Sequence, residues 1–202
     1  MKIAPKRPRG RPQEYDRNIA LDRAMELFWH KGLSATSLDE LADAMQMNRP
    51  SIYRAFGNKE AIYRYALRNF SEQALVAIDT MLNSDQRLKV DLEAFFSGAL
   101  QVYCNGDQPL GCFIACTAVT DVTVHPELQT DLLDIIRKID DKLEVRCLQA
   151  RDTGDLRVDI DPHFVSQSIQ GMLHTLATRA RAGQPKHELE GLVAFFLEQM
   201  IK

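Results

Sequence analysis

The sequence predicts an all-α protein with a small N-terminal three-helix unit and a larger C-terminal helical body. Along most of the 202 residues, apolar side chains recur at spacings of three, four and seven, as they do on one helix face. Short polar residues and glycines stand where such stretches begin and end. The segment LRVDID is too short and too charged to be a core strand. The predicted parts are a basic disordered arm at 1–12, the three-helix unit at 13–73 and the body at 74–202.

The composition is typical of a globular protein of the cytoplasm. Hydrophobic residues make up 45% of the chain, yet no apolar run approaches the roughly 18 to 20 residues of a membrane span. The basic N-terminus has no apolar stretch behind it, which argues against a secretory signal. The four cysteines are therefore expected to be free thiols in a reducing compartment.

Charge divides the chain into a basic head and an acidic body. Residues 1–59 hold 11 Lys and Arg against 7 Asp and Glu, a net of +4, whereas residues 60–202 hold 14 against 21, a net of −7. A chance fluctuation is the alternative explanation. The excess of positive charge lies where the motifs described below lie, and this pattern is typical of a nucleic-acid-binding module.

The first twelve residues form the basic arm. They contain five Lys or Arg, three prolines and no acidic residue, so they are expected to be disordered alone. The segment PRGRP is similar to the core of an AT-hook, in which Arg9 and Arg11 would lie along a narrow A·T minor groove. The alternative is a solvated basic tail that only adds phosphate contacts.

The first helix is expected at 15–31, with Gly32 directly after its end. Leu33 would then fill the corner of the three-helix unit. Trp29 and His30 lie near the end of this helix. A single histidine in such a place packs or faces solvent far more often than it binds a ligand or acts as a base.

Two short helices follow, and their capping residues are recognisable. Ser37 and Glu40 have the spacing of a capping box at the start of the second helix. Asn48 is a good N-cap for the third helix, Pro50 suits its first turn, and Gly57 ends it. Helices this short are unstable alone, so they must pack on each other and on the first helix.

A short helix, a tight turn and a second short helix with a polar outer face is the plan of a helix-turn-helix. The outer face of the third helix carries Arg49, Ser51, Arg54 and the hydroxyl of Tyr53. These groups are suited to contact phosphates and base edges in DNA.

Residues 15–70 resemble the DNA-binding domain of the tetracycline-repressor (TetR) family. The resemblance is carried by NRPSIYRAFGNKEAIYRYAL, with Phe56, Gly57, Lys59 and Glu60 at fixed spacing, and covers a little over a quarter of the chain. One departure is Gln46, where family members often carry a glycine between helices two and three. If this position needs a positive φ, Gln46 stores roughly 1 kcal/mol of strain.

The resemblance implies a transcriptional regulator that binds double-stranded DNA at a near-palindromic operator. The implied contacts are Arg9 and Arg11 in the minor groove, Arg49, Pro50, Ser51, Tyr53 and Arg54 in the major groove, and Thr36, Ser37 and Lys59 on the DNA backbone. For Lys59, a solvated charge is the alternative.

The rest of the chain is expected to be helical. The predicted helices span 58–82, 86–104, 112–122, 126–151, 162–182 and 187–201. The first of them is long enough to leave the head and enter the body. The last two are apolar on more than one side, which favours a homodimer through a four-helix interface, as is usual in the TetR family. The alternative is that one chain buries both faces.

No catalytic or metal-binding pattern is evident. The sequence lacks the G-x-S-x-G, H-E-x-x-H and Walker patterns. Cys112 and Cys116 have no neighbouring histidine or third thiol, which argues against zinc, and no cofactor is expected. A helical enzyme and a DNA-architectural protein without an effector remain the rival classes.

The segment LGCFIACTAVTDVTVHPEL resembles the Gly-Cys segment of a TetR subgroup whose body senses small organic compounds, some of them electrophiles. This resemblance implies a repressor released by a small, partly apolar effector. Cys112 would then sit at a helix N-terminus, where unpaired N–H groups lower the pKa of a thiol. The alternative is that Cys112 is a small buried hydrophobe.

Overall fold

The structure, a computed structural model, describes residues 16–82 and 86–201, and within these ranges every regular element is helical. The helices are α1 (Arg17–Lys31), α2 (Leu38–Met45), α3 (Arg49–Phe56), α4 (Lys59–Leu82), α5 (Leu88–Tyr103), α6 (Val119–Asp121), α7 (Leu128–Thr153), α8 (Pro162–Arg181) and α9 (Lys186–Met200). The all-α prediction is therefore confirmed. The basic arm at 1–12, with Arg9 and Arg11, lies outside the described residues.

The N-terminal head is held together by the caps that the sequence predicted. Ser37 N–H donates to the Glu40 carboxylate at 2.9 Å and Glu40 N–H donates to Ser37 Oγ at 3.2 Å, which completes the capping box. At the start of α3, Ser51 N–H donates to Asn48 Oδ1 at 2.9 Å. Each cap satisfies an N–H group that the first helical turn leaves without a partner.

The turn between α2 and α3 contains a left-handed residue. Gln46 has φ 53° and ψ 43°, and it is the one non-glycine residue with a positive φ in the described ranges. Met47 N–H donates back to Ala42 O at 2.9 Å, so the turn closes as a helix C-terminus usually does. The strain anticipated at Gln46 is thus stored in the native turn.

The head has its own apolar core, to which all three short helices contribute. Phe28 from α1, Leu41 from α2, and Ile52 from α3 are each fully buried, and Leu33 fills the corner after α1 as expected. Phe28 also packs edge-on against Tyr63 of α4, with ring centroids 5.0 Å apart. The start of α4 therefore closes the head, while its later turns pack on α5 and α7 in the body.

The predicted helix at 112–122 is irregular. A π-helical segment, Ile114–Ala118, leads directly into the short α6. The backbone before it passes very close to α8, because a Cβ added at Gly111 would lie 2.3 Å from Ala177 O. Only glycine fits this crossing, where φ is +66°. The wider helical turn follows directly after this close contact, and such π segments often accompany functional sites.

The body is completed by four helices. α7 packs along α8, and α5 packs against both α8 and α9. Fully buried side chains from these helices, such as Phe96, Leu143 and Leu176, form the body core. None of the described helices combines the length and the apolar character needed to cross a membrane.

Candidate nucleic-acid interface and body cavity

The exposed face of α3 is the candidate DNA interface. Ile52 and Phe56 anchor the helix in the head core, which leaves Arg49, Tyr53 and Arg54 exposed on the other side. Tyr53 is 54% exposed, which is unusual for an aromatic side chain without a partner surface. Pro50 is also exposed, and Ser51 is half-buried. A short helix that presents guanidinium and phenol groups to solvent fits the major groove.

Arg49 is held by an acidic neighbour in the free protein. Its Nε donates to Asp39 Oδ1 at 2.6 Å, and both side chains are more than half exposed. The neighbouring carboxylate raises the pKa of the Arg49 guanidinium above its usual value. Because an exposed ion pair of this kind is weak, Arg49 is free to exchange Asp39 for a phosphate.

The two residues before α2 occupy different environments. Ser37 is exposed, and its Oγ is engaged in the capping box with Glu40. Thr36 is only 1% exposed, and its Oγ1 donates to Gly32 O at 2.6 Å. The Thr36 hydroxyl therefore stabilises the corner after α1, and the structure does not present it at the surface. That either residue holds the DNA backbone stays a prediction.

Lys59 lies in the first turn of α4 and is partly buried. Its Nζ donates to Leu33 O and to Thr36 O, each at 2.8 Å. The lysine thus ties the start of α4 to the corner between α1 and α2. This structural use of Lys59 was not foreseen from the sequence, and a phosphate contact stays a prediction.

A further cation near α3 was missed by the sequence reasoning. The guanidinium of Arg17 lies over the rings of Phe56 and Tyr65, 5.3 and 5.4 Å from their centroids. These contacts place a positive charge beside the end of α3. Its position at the very start of α1, close to the basic arm, was the available signal.

The body contains a second candidate site, a cavity of about 370 Å³ between α1, α4, α5, α7 and α8. Its volume lies at the lower end of the range for pockets that bind small organic molecules. The lining is Met25, Trp29, Phe70, Gln73, Ala74, Ala77, Ile78, Met81, Phe95, Gly98, Ala99, Val102, Tyr103, Cys112, Ile114, Ile135, Ile136, Ile139, Gln170, Leu173 and His174. These residues come from distant parts of the sequence, so no local pattern could have grouped them.

Cys112 lines this cavity as a buried thiol, which agrees with the alternative raised from the sequence, whereas the lowered thiol pKa implied by the helix N-terminus is wrong. Burial raises the pKa of the Cys112 thiol to about 11, although the backbone N–H groups of Ala115 and Ile114 act in the opposite direction. The predicted effect of the helix N-terminus is therefore present but is outweighed by desolvation. At neutral pH the Cys112 thiol is protonated. Its role in sensing stays a prediction.

Several polar contacts among the described residues connect the head to the body, and the first is made by Asp121. The Asp121 carboxylate accepts from Leu33 N–H at 2.8 Å and from Ser34 N–H at 3.3 Å. Tyr63 in α4 shares a hydrogen bond of 3.0 Å with Thr117 in the π-helical segment. Burial beside this contact raises the pKa of the Tyr63 hydroxyl, so it stays protonated.

The third contact involves Arg181, near the end of α8. Its Nη1 donates to Trp29 O and Leu110 O at 3.1 Å, and its Nη2 donates to His30 O at 3.2 Å. These carbonyls include ones left unpaired at the C-terminal end of α1, where a cation is favoured. Because Trp29 also lines the cavity, the head and the cavity share the last turn of α1.

A helix-turn-helix head joined to a helical body is the architecture of a DNA-binding regulatory protein. Comparison with known families agrees. Residues 20–66 match the family described as "Bacterial regulatory proteins, tetR family", and residues 89–196 match "Tetracyclin repressor-like, C-terminal domain". The chain therefore belongs to the TetR family of bacterial regulatory proteins. It is a DNA-binding regulator of transcription, and it is not an enzyme.

Individual relatives support this assignment. The chain is 30% identical to the HTH-type transcriptional repressor ComR of Escherichia coli K12, over 83% of this chain and 82% of ComR. It is also 25% identical to the transcriptional regulator YezE of Bacillus subtilis 168, over 73% of this chain and 76% of YezE.

Solved structures agree as well. A cysteine mutant of the TetR family regulator CifR, in complex with double-strand operator DNA, has a TM-score of 0.82 at 26% identity, covering 93% of this chain and 98% of CifR. The reduced form of Escherichia coli NemR also has a TM-score of 0.82, at 17% identity, over 92% of this chain and 96% of NemR, which shows a shared fold.

Within 16–82 and 86–201, no group of three or more His, Cys, Asp or Glu side chains is arranged to hold a metal ion. The four cysteines are free thiols in this structure.

Proposed function

We propose that this protein is a homodimeric repressor, released from a near-palindromic operator when a small organic effector enters the body cavity. The main support for this proposal is that the last turn of α1 contacts both the cavity and the body. Trp29 lines the cavity, while the carbonyl of the same residue is bound by Arg181 of the body. One helical turn of the DNA-binding head is thus part of the wall of the cavity. A DNA-architectural protein would have no use for a cavity in this place.

In the proposed complex, α3 enters the major groove. Arg49, Tyr53 and Arg54 contact phosphates and base edges. Pro50 and Ser51 lie against the sugar–phosphate backbone that borders the groove. Arg9 and Arg11 follow the adjacent minor groove, and Ser37 lies beside the DNA backbone. CifR, which resembles this chain over nearly its whole length, binds double-strand operator DNA.

Repression is supported by two of the relatives. ComR, which shares 30% identity with this chain, is a transcriptional repressor, as is BdcR of Escherichia coli K12. A repressor that binds operator DNA acts where the bacterial chromosome lies, so the proposed function implies a cytoplasmic protein.

The dimer forms through the outer faces of α8 and α9. On α8 the exposed or half-exposed positions Phe164, Ser168, Gly171 and Thr175 recur at spacings of four and three, so they share one face without a charge. On α9, Phe195 is 62% exposed and Gly191 is exposed on the same side. Apolar rings with small residues between them suit the close packing of helices from two chains.

The proposed release requires the effector to bind one arrangement of the heads better than the other. Moving an equilibrium from 1:99 to 99:1 needs a difference of about 5.5 kcal/mol between the two forms. A ligand that contacts Trp29 and Ile114 would touch both the head and the body. Trp29 belongs to the last turn of α1 in the head, and Ile114 begins the π-helical segment of the body that leads to Asp121. The spacing of the two heads would then no longer match the half-sites.

Footprinting of the purified protein on fragmented genomic DNA tests this proposal. The expected result is protection of one or a few segments with near-twofold symmetry, and loss of that protection for Arg54→Ala. The matched control is Arg157→Ala, which removes an exposed arginine of the body that is paired with Asp159. Uniform, sequence-independent protection would instead identify an architectural protein.

A further inference from the structure

The guanidinium of Arg17 contacts side chains from two other helices of the head. Arg17 is the first residue of α1, and its guanidinium carbon lies 5.3 Å from the ring centroid of Phe56, the last residue of α3. The same carbon lies 5.4 Å from the ring centroid of Tyr65, in the second turn of α4. An exposed arginine is usually mobile, whereas these two ring contacts hold the Arg17 side chain in one place.

The hydrogen-bond donors of Arg17 are not used by these contacts. A cation–π contact engages the positive charge of a guanidinium and leaves its five N–H groups available. Among the described residues, the Arg17 side chain has no hydrogen-bond or ion-pair partner. Arg49, by contrast, is paired with Asp39 in the free protein. Arg17 can therefore bind an anion without first giving up such a partner.

The position of Arg17 beside α3 indicates which anion it meets. Tyr53 is exposed on α3 and lies three residues before Phe56, so the two side chains are neighbours on the helix surface. The Arg17 guanidinium thus lies beside the C-terminal end of the candidate DNA interface, and Arg49 lies at its N-terminal end. With eight residues, α3 is about 12 Å long, close to the width of the major groove. Cations at both ends of such a helix can reach the phosphates that border the groove.

We propose that Arg17 binds a backbone phosphate of the operator at the C-terminal end of α3, and that Phe56 and Tyr65 position its guanidinium for this contact. This inference rests on the proposed function, because it adds a contact to the same DNA-binding head. The planar guanidinium can donate two parallel hydrogen bonds to phosphate oxygens. Because the rings hold the side chain beforehand, less conformational freedom is lost on binding. Arg17 precedes residues 20–66, so the family match assigns it no role.

The proposed contact has a distinct signature in DNA binding. A phosphate contact fixes the position of the protein on the duplex and does not read the base sequence. Loss of Arg17 therefore weakens binding to every duplex alike. It also reduces the salt dependence of binding, because each neutralised phosphate releases counterions. A residue that only stabilises the head would leave the salt dependence unchanged.

Fluorescence-anisotropy titrations of the full-length protein at several salt concentrations test this proposal. The two duplexes are the operator fragment found by footprinting and a scrambled sequence of the same length. Arg17→Gln is expected to bind both about tenfold more weakly at low salt, the effect of one charged hydrogen bond. The slope of log affinity against log salt is expected to become shallower by about 0.9 for each bound chain.

The matched control is Arg23→Gln, the same change in the same helix. Arg23 is half-buried and lines a surface groove formed by α1, α2, α5 and the loop after α5, with no residue of α3. This variant is expected to keep the affinity and the slope of the wild type. If Arg17→Gln does not fold, Arg17→Met takes its place, because its apolar side chain can pack on the same rings without a charge.

The positioning role is tested at Tyr65. Tyr65→Leu removes the ring at a position that is 40% exposed, and it is expected to weaken binding about two- to fivefold while the slope stays unchanged. Tyr65→Phe keeps a ring under the guanidinium and is expected to bind like the wild type. The leucine variant therefore separates the orientation of Arg17 from its charge.

Operators that carry a single neutral methylphosphonate locate the contact from the DNA side. At one position in each half-site, this replacement is expected to weaken binding of the wild type about tenfold and to have little effect on Arg17→Gln. The two changes remove the same interaction, so their effects do not add.

Three outcomes would overturn the inference. They are a wild-type slope for Arg17→Gln, an equal loss of affinity in Arg23→Gln, and wild-type binding by Tyr65→Leu. None of these changes the genomic footprint of the wild-type protein, which tests the proposed function. A protein without a specific footprint would contradict the proposed function instead, and the slope for Arg17→Gln would still be measured on the scrambled duplex.

Discussion

The Asp121 carboxylate at the end of α6 accepts a hydrogen bond of 2.8 Å from the Leu33 N–H in the corner of the head. Both groups are buried, and the residues lie 88 positions apart in the sequence. This contact fastens the DNA-binding head to the segment of the body that follows the cavity. It is therefore a point where a change in the body reaches the head.

Replacing Asp121 with alanine is expected to lower the free energy of unfolding by about 1–3 kcal/mol, since the Leu33 N–H is left buried without an acceptor. Hydrogen exchange at the Leu33 amide should accelerate together with that of its neighbours in the corner. The matched control is Asp155→Ala, which removes a half-exposed carboxylate that accepts from Leu88 N–H far from the head. Unchanged exchange at Leu33 would show that Asp121 does not hold the corner.

Replacing Asp39 with asparagine is expected to tighten operator binding by about three- to tenfold at low salt. The change frees Arg49 and removes a negative charge beside the phosphates. The gain should shrink as salt is raised. Asp79→Asn, an exposed acid of α4 paired with Lys142, serves as the control in the same anisotropy titrations. Equal effects of the two variants would mean that overall charge, not the release of Arg49, is responsible.

Substitution of Lys59 is expected to lower thermal stability, whereas substitution of Arg54 is expected to weaken operator binding. Lys59→Met leaves Leu33 O and Thr36 O without the ammonium that joins them, so its melting temperature should fall by several degrees. Arg54→Ala should melt like the wild type but lose roughly 1–3 kcal/mol of operator binding, with relaxed sequence preference if it reads a base edge. If Lys59→Met melted like the wild type and bound all DNA more weakly, the result would indicate that Lys59 contacts a phosphate and does not stabilise the head.

Alkylation followed by peptide mass spectrometry tests the Cys112 environment. With a thiol pKa of about 11, only about one Cys112 in ten thousand is a thiolate at pH 7. Iodoacetamide should therefore modify Cys112 more slowly than Cys104, which is half-exposed. Its rate should rise with pH up to about 11, because the thiolate fraction rises. Fast, preferential modification at pH 7 would reinstate a lowered pKa and a sensing thiol.

Replacing Gln46 with glycine is expected to stabilise the head by up to about 1 kcal/mol, because glycine adopts a φ of 53° without strain. The greater freedom of glycine in the unfolded chain offsets part of this gain. Gln46→Ala keeps the Cβ and should give no such gain in denaturant titrations. If Gln46→Gly were less stable than Gln46→Ala, the left-handed conformation of Gln46 would not be a source of strain.

The sequence predicted what is decided locally. The capping box of Ser37 and Glu40, the cap at Asn48 and the positive φ considered for Gln46 all depend on residues within four positions of each other. Helix bounds were correct to within a few residues, as for the third helix, which begins after Asn48 and ends before Gly57. The exception is the predicted helix after Gly111, which is irregular in the structure. There the close approach of Gly111 to Ala177 O constrains the backbone conformation.

What could not be predicted depends on contacts between distant residues. Arg181 and Trp29 O are 152 positions apart, and spacing carries no information about such a pair. For Cys112 the sequence left two possibilities, a lowered pKa at a helix end and a small buried thiol, and only the three-dimensional packing shows that the thiol is buried. The buried hydroxyl of Thr36 escaped notice for the same reason, since a chain position does not reveal its exposure.

In the proposed complex, two copies of the chain bind one duplex through paired heads. Native mass spectrometry of the protein with an operator fragment chosen by footprinting tests it most directly. The expected result is one dominant complex of two chains per duplex, which forms from a protein already dimeric alone and is weakened in Arg54→Ala by roughly 1–3 kcal/mol. A single chain bound to the operator, or a protein that remains monomeric at micromolar concentrations, would contradict it.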